Sequence, residues 1–174
     1  MHIIAGKYKG LGLEYDSKYI RPTTSKVRGA FFNIMSDKIV GADFLELFCG
    51  SGAMAIEALS RDAKSAIAID LHLETAQKNK HKFKLDNLQL VRTSAEQFIK
   101  KNEGLKLFDI VYLDPPYRYL KQNELLFYLS KFAILKEDGV LAFESESAIE
   151  KIEGLKQVKI CEYGQSKLSF FKIL

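Results

Sequence analysis

Two alternating rhythms run along most of this chain. From Asp43 onward, apolar runs near 43–48 (DFLELF), 65–69 (SAIAI), 88–91 (LQLV), 108–113 (FDIVYL) and 139–143 (GVLAF) read as buried strands. Between them, segments at about 53–60, 73–84, 95–101 and 122–131 carry apolar residues at helical spacing. Such alternation predicts a mostly parallel sheet covered by helices on both faces, a Rossmann-like α/β arrangement. The tail breaks the rhythm. Segments 156–161 (KQVKIC) and 167–173 (KLSFFKI) are joined by Glu162-Tyr163-Gly164-Gln165-Ser166, a loop short enough for an antiparallel hairpin.

Ahead of the sheet pattern, residues 3–13 (IIAGKYKGLGL) predict a short N-terminal β-hairpin around a turn containing glycine and lysine. Arg21-Pro22-Thr23-Thr24 forms a turn into a helix with a threonine N-cap, and Val27, Ala30, Phe31, Ile34 and Met35 follow at helical spacing. No repeat, linker or low-complexity segment interrupts the chain. The expectation is one α/β domain over 1–174, with 1–41 as a basic hairpin-and-helix extension and 42–174 as the catalytic core.

Composition narrows the classes. The 174 residues are 47% hydrophobic and 28% charged, a soluble globular balance rather than a disordered one. No apolar run approaches the roughly 18 residues that span a membrane, and the opening MHIIAGKYKG is too short in apolar residues for a signal peptide. Cys49 and Cys161 form no disulfide framework, so a cytoplasmic location is expected. His2, His72 and His81 lack metal-ligand spacing, so no metal is expected. Charge is unevenly placed. Residues 1–41 hold seven basic residues against three acidic ones, and the remainder balances at 19 and 19, so the whole net charge of +4 sits in the N-terminal quarter. Lys7, Lys9 and Arg21 belong to that arm and are suited to phosphates. A solvated surface would look the same.

The first strand of the sheet runs into Leu45-Glu46-Leu47-Phe48-Cys49-Gly50-Ser51-Gly52-Ala53. Gly50 and Gly52 let a ligand approach the main chain. Asp70, twenty residues after Gly50, ends the second strand, where a carboxylate can accept from two ribose hydroxyls. Phe48 and Leu71 flank these two positions. A dinucleotide fingerprint would place a third small residue for the pyrophosphate; here Glu46 stands ahead of the glycines and would repel one. The same carboxylate suits the ammonium group of S-adenosylmethionine (SAM). After the third strand, Ser94 and Ala95 are the expected adenine neighbours, although an acidic or amide side chain is usual there. Cys49 reads as a small loop residue.

The fourth strand ends in Asp114-Pro115-Pro116-Tyr117. An exocyclic amine on a nucleobase is a poor nucleophile because its lone pair is delocalised into the ring. The Asp114 carboxylate and the Pro115 carbonyl can accept the amine hydrogens, aim the lone pair at a methyl donor and favour positive charge growing on nitrogen. Pro115 and Pro116 stiffen the loop, and Tyr117 can stack on an extruded base. A rigid turn after a strand would explain Asp-Pro-Pro alone; following the FCGSG loop, it reads as an amino methyltransferase site.

The chain as a whole resembles the bacterial RsmD family, SAM-dependent methyltransferases acting on N2 of a guanine in 16S ribosomal RNA. The resemblance rests on IIAGKYKG, RPTTSKVRGAFFNI, LELFCGSGAMAIEALSR, DPPY and FESE. It implies a class I SAM-dependent methyltransferase fold with a seven-stranded sheet and an N-terminal hairpin. It also implies SAM as cofactor and the assembled or assembling 30S subunit as partner. By position, Thr23, Thr24 and Arg28 would lie near the SAM carboxylate or cover the cofactor. Glu46, Gly50, Gly52 and Asp70 would line its site, and Asp114, Pro115 and Tyr117 would hold the guanine amine. Ala5 and Ser94 depart from the family pattern.

Guanine N2 and ribosomal RNA come from the resemblance, not from the residues. The rival readings are a DNA adenine-N6 methyltransferase, a protein-amide methyltransferase, a non-catalytic SAM-binding ribosome assembly factor and, weakest, a nicotinamide dehydrogenase. A monomer is expected. Lys78, Lys80, Lys82 and Lys84 (QKNKHKFK) read as a solvated helix face. Arg118 and Tyr119 either meet RNA or form an exposed loop, and Glu144 and Glu146 either shape the site edge or close the fifth strand.

Overall fold

The computed structural model describes residues 1–15, 24–116, 119, 121–147, 149 and 151–174. After an N-terminal hairpin come α1 (Ser25–Met35), a 3-10 turn (Ser36–Lys38), β1 (Asp43–Leu47), α2 (Ala53–Ser60), β2 (Ser65–Asp70) and α3 (Glu74–Phe83). The chain continues through β3 (Leu88–Arg92), α4 (Ala95–Lys101), β4 (Phe108–Leu113), α5 (Gln122–Lys131), β5 (Leu135–Ser145), β6 (Leu155–Tyr163) and β7 (Ser166–Ile173).

The seven strands form one sheet in the order β3-β2-β1-β4-β5-β7-β6. β1 to β5 pair in parallel, and β7 pairs antiparallel with both β5 and β6. This is the mostly parallel sheet with a C-terminal antiparallel hairpin that the sequence pattern predicts. β5 begins earlier than expected, because buried Leu135 pairs with Phe108 ahead of a register shift in the ladder.

Strand side chains alternate between two cores, as the pleat requires. Phe44, Ala66, Ile110, Ala142 and Phe170 meet α1, α2 and α3 on one face, while Leu45, Val111, Leu141 and Phe171 meet α4 and α5 on the other. Both faces are covered, which is why the parallel strands read as continuous apolar runs. Strand order reverses between β1 and β4, so the loops leaving their carboxyl ends diverge and open a crevice there. No described helix is long and apolar enough to cross a membrane.

The N-terminal hairpin closes through Ile3 N–H to Leu11 O (3.0 Å), Gly10 N–H to Ile3 O (2.9 Å) and Leu13 N–H to Met1 O (2.8 Å). Its tip docks on the C-terminal end of α2: Lys7 N–H donates to Ser60 O (2.9 Å) and Tyr8 N–H to Ser60 Oγ (3.0 Å). Gly6 has φ +80°, and a Cβ there would stand 1.8 Å from Ser60 O, so only glycine permits this approach. Ile3 and Leu13 are buried in the core shared with α1 and α2, so the arm is packed onto the sheet domain.

Candidate active site

β1, β2 and β4 deliver Phe48, Asp70 and Asp114 side by side, because Leu47 pairs with both Ile69 and Leu113 in the parallel ladders. The loop after β1 is held from within and from the neighbouring strand. Gly52 N–H donates to Cys49 O (2.8 Å), and Gly50 N–H donates to Asp70 Oδ2 (2.9 Å). Asp70 Oδ1 accepts from His72 N–H (3.1 Å), so this carboxylate is already oriented by two backbone amides. Gly50 and Gly52 have φ of +52° and +74°. Phe48 also sits at φ +60°, a conformation that costs a side-chain-bearing residue on the order of 1 kcal/mol and accumulates at functional turns. Its ring packs edge-on against Tyr119, with centroids 5.1 Å apart.

Glu46 is buried under the start of α2, where Oε1 accepts from Met54 N–H (3.3 Å) and Oε2 from Ala55 N–H (2.9 Å). Its carboxylate therefore acts as an N-terminal cap from an adjacent strand and fixes the helix to the loop. Burial pushes its pKa up to about 8 against the pull of those amides, and Asp70 and Asp114 add to the rise. Three carboxylates from three neighbouring strand ends thus feel one another, an arrangement suited to a ligand carrying positive charge. Burial likewise raises the Cys49 thiol well above its ordinary value, which leaves it inert as a nucleophile.

A carboxyl whose folded-state pKa is raised lends stability that is complete below its unfolded value and is lost as pH rises through the folded one. Between about pH 5 and about pH 9, Glu46 therefore erodes stability as it ionises. Thermal melts of the wild type without added ligand should fall relative to Glu46→Gln over this window, by on the order of 5 °C. Parallel curves for the two proteins would show that Glu46 does not titrate there.

The remaining positions fall into three groups. Asp114 is half-buried at the end of β4, Pro115 is buried and Pro116 exposed, and Tyr119 N–H closes a turn onto Pro116 O (2.8 Å). Leu71 lies beside Asp70 with 58% of its surface exposed, an apolar face at the mouth of the crevice. Ala95 is buried at the start of α4. Arg21, Pro22, Thr23, Tyr117 and Arg118 lie outside the described residues.

Three residues expected near the ligand have structural partners in the fold. Thr24 caps α1, its hydroxyl accepting from Val27 N–H (3.2 Å). Ser94 caps α4 through Gln97 N–H (3.2 Å). Arg28 is fully buried: Nη2 donates to His2 O (2.5 Å), and Nε stands 4.0 Å from the buried Glu57 carboxylate. Its Nε and Nη1 have no hydrogen-bond partner among the described residues. Burial lowers the guanidinium pKa, with Glu57 and then Glu46 opposing the shift.

Lys7 and Lys9 do not adjoin the crevice. Their turn sits at the far end of α2, about 12 Å along the helix from the glycine loop, and Lys7 Nζ pairs with Asp62 at 3.6 Å. Lys9 is exposed. Glu144 is buried and accepts from Tyr112 Oη (2.6 Å), so it sits within the fold at the end of β5.

Sequence reasoning passed over Glu96, which stands half-buried two residues after Ser94 and accepts a hydrogen bond from Tyr119 Oη. Burial works to raise its carboxyl, but the hydrogen bond from Tyr119 and others hold it below the usual range. The signal was present: Ser94-Ala95-Glu96-Gln97 is a capping-box pattern, which fixes the helix start and places Glu96 in its first turn.

Comparison with known proteins places this geometry. The family described as conserved hypothetical protein 95 matches residues 1–172. The chain is 35% identical over 150 residues to ribosomal RNA small subunit methyltransferase D of Escherichia coli K12, covering 84% of this chain and 75% of that one. It is 33% identical over 157 residues to the protein of the same name from Buchnera aphidicola, covering 87% and 79%. The solved structure of Escherichia coli yhhF superposes with a TM-score of 0.87 at 30% identity, covering 99% of this chain and 97% of that one.

Proposed function

Because the chain belongs to the conserved hypothetical protein 95 family, whose relatives include the small subunit rRNA methyltransferases D, we propose that it is a SAM-dependent 16S rRNA methyltransferase. In this reading the target is the exocyclic N2 amine of a guanine, presented in the assembled or assembling 30S subunit, and the protein works as a monomer. The observation that carries the reading is Asp114-Pro115 at the end of β4, beside the β1 glycine loop and at the point where strand order reverses.

The residues present fit SAM. The positive φ angles of Gly50 and Gly52 open the main chain to close approach, and Asp70 stands ready for ribose hydroxyls. Exposed Leu71 offers an apolar surface to adenine, and the Asp70 carboxylate beside the glycine loop favours the cofactor's positive groups. SAM, when bound, supplies an electrophilic methyl group. The chain's own work is to hold the amine. Asp114 and the Pro115 carbonyl accept its hydrogens and aim its lone pair. Tyr117 stacks on the base and keeps it out of its helix or loop. After transfer the nitrogen is acidic and loses a proton to Asp114 or to water.

The test is to incubate the protein with radiolabelled SAM and, in parallel, unmodified small ribosomal subunits, protein-free 16S rRNA and duplex DNA, then identify the methylated nucleoside. N2-methylguanosine from the subunits supports the reading, and the naked RNA shows whether assembly is needed. N6-methyladenine in the DNA would keep the site and overturn the substrate. SAM binding with no label in any arm would favour a non-catalytic assembly factor.

The basic arm has its own test. Neutralising Lys7, Lys9 and Arg21 together should weaken RNA binding and lower the slope of log K against log salt by about one for each phosphate left without its cation. Lys7 should contribute less than Lys9, since Asp62 already stands beside it. An unchanged slope in filter binding across a salt series would remove the arm from the RNA interface.

A further inference from the structure

Asn79 lies in the middle of α3, among lysines whose pattern assigns this stretch to solvent, yet it is completely buried. Its carboxamide is fully engaged. Oδ1 accepts from Glu14 N–H (2.9 Å), while Nδ2 donates to Glu14 O (2.9 Å) and to Ser51 O (3.0 Å). Toward Glu14 it behaves as a neighbouring strand would, donating and accepting at one residue. Toward Ser51 it grips the carbonyl between Gly50 and Gly52. One turn earlier on α3, Ala76 packs where a Gly52 Cβ would point, 3.6 Å away. The loop is thus pinned from two sides, by Asp70 on the Gly50 amide and by Asn79 on the Ser51 carbonyl.

Few side chains serve here. Leucine fills the volume but leaves Glu14 N–H, Glu14 O and Ser51 O without this partner, and buried polar groups are costly to strand. Aspartate would turn acceptors toward two carbonyls.

We propose that Asn79 is a positioning residue for the cofactor site, joining the chain that leaves the N-terminal hairpin at Glu14 to the Ser51 carbonyl, so that cofactor binding and docking of the N-terminal arm reinforce each other. This rests on the reading of the Gly50–Gly52 loop as the SAM site. The physical basis is preorganisation. The Ser51 carbonyl lies in the peptide that joins Ser51 to Gly52, so holding it fixes the backbone beside that glycine, and a loop already held in its binding conformation loses less freedom when a ligand arrives. Coupling of this kind is reciprocal: whatever the docked arm adds to SAM affinity, SAM returns to the docking of the arm.

The experiment measures SAM affinity by calorimetry for the wild type, Asn79→Ala and Phe83→Leu, with amide hydrogen exchange at Glu14 with and without SAM. Phe83 is buried on the same helix and packs edge-on against Tyr8 of the hairpin, so Phe83→Leu trims packing between α3 and the arm while leaving the three Asn79 hydrogen bonds in place. Asn79→Ala should raise the SAM Kd about ten-fold, whereas Phe83→Leu should leave it within about two-fold. SAM should slow exchange of the Glu14 amide in the wild type and not in Asn79→Ala. Equal affinity in wild type and Asn79→Ala, or equal losses in the two variants, would overturn the proposal while leaving the SAM site intact. Failure of the wild type to bind SAM would instead remove the site reading, and the proposal with it. If Asn79→Ala does not fold, Asn79→Ser takes its place, and the wild-type exchange measurement stands alone: no SAM-dependent slowing at Glu14 overturns the coupling.

Discussion

Asp114→Ala is expected to slow methyl transfer by about a thousand-fold while leaving SAM affinity within about three-fold of wild type. The two numbers separate because the carboxylate has different partners in the two events. In the proposed mechanism, cofactor placement rests chiefly on Gly50, Gly52 and Asp70, which the hydrogen bond from Gly50 N–H to the Asp70 carboxylate ties together. Amine activation depends on an acceptor at the end of β4, where Asp114 follows directly on Leu113, itself paired with Leu47 of β1. An interaction that strengthens as positive charge builds on nitrogen lowers kcat when removed and barely changes ground-state binding. Asp114→Asn is the sharper variant. It keeps one acceptor oxygen in nearly the same volume but presents donors on the other arm, so it should retain about ten-fold more activity than the alanine protein. Single-turnover rates with small subunits, beside SAM calorimetry, read both quantities. Wild-type turnover in Asp114→Ala would sink the proposed role.

The elements that position this site were legible because each follows from a short-range rule. Strands buried on both faces leave continuous apolar runs, and FCGSG and DPPY lie at strand ends that the alternation locates within a residue or two. The family resemblance then supplied the RNA base, which no strand or helix pattern encodes. What stayed hidden depends on contacts far apart in the chain. Asn79 sits among lysines and carries no apolar signal; its burial comes from Glu14, 65 residues away. Thr24 is legible as the N-cap of α1 from the Arg-Pro-Thr-Thr turn, whereas only position and resemblance place Arg28 and Ser94 near a ligand. In the structure Thr24 and Ser94 cap helices, and Arg28 turns inward toward His2 and Glu57, a partner 29 residues away. Small hydroxyl side chains at a helix start satisfy backbone amides before anything else. Lys7 was read as part of a phosphate-binding arm; the hairpin's docking on Ser60 carries it to the far end of α2, beside Asp62.

Glu57→Leu should destabilise the protein by about 3–5 kcal/mol, or on the order of 10 °C in Tm for a chain of this size. Glu57 is fully buried in α2, and its carboxylate accepts three hydrogen bonds and faces the Arg28 guanidinium. Oε2 accepts from Ile4 N–H (2.8 Å) and stands 4.0 Å from Arg28 Nε; Oε1 accepts from Ala5 N–H (3.0 Å) and Arg61 Nε (2.9 Å). Leucine restores volume but abandons two backbone amides and leaves the Arg28 guanidinium buried without its carboxylate, the situation in which breaking a buried pair is most costly. The loss should also travel. Ile4 and Ala5 hold the hairpin to α2, and Arg28 holds His2 to α1, so hydrogen exchange in residues 1–13 should accelerate before the sheet opens. Arg28→Met added to Glu57→Leu should recover part of the loss, because two matched apolar side chains strand no charge. Glu57→Leu melting within about 2 °C of wild type would show that burial of Ile3 and Leu13, not this carboxylate, fastens the arm.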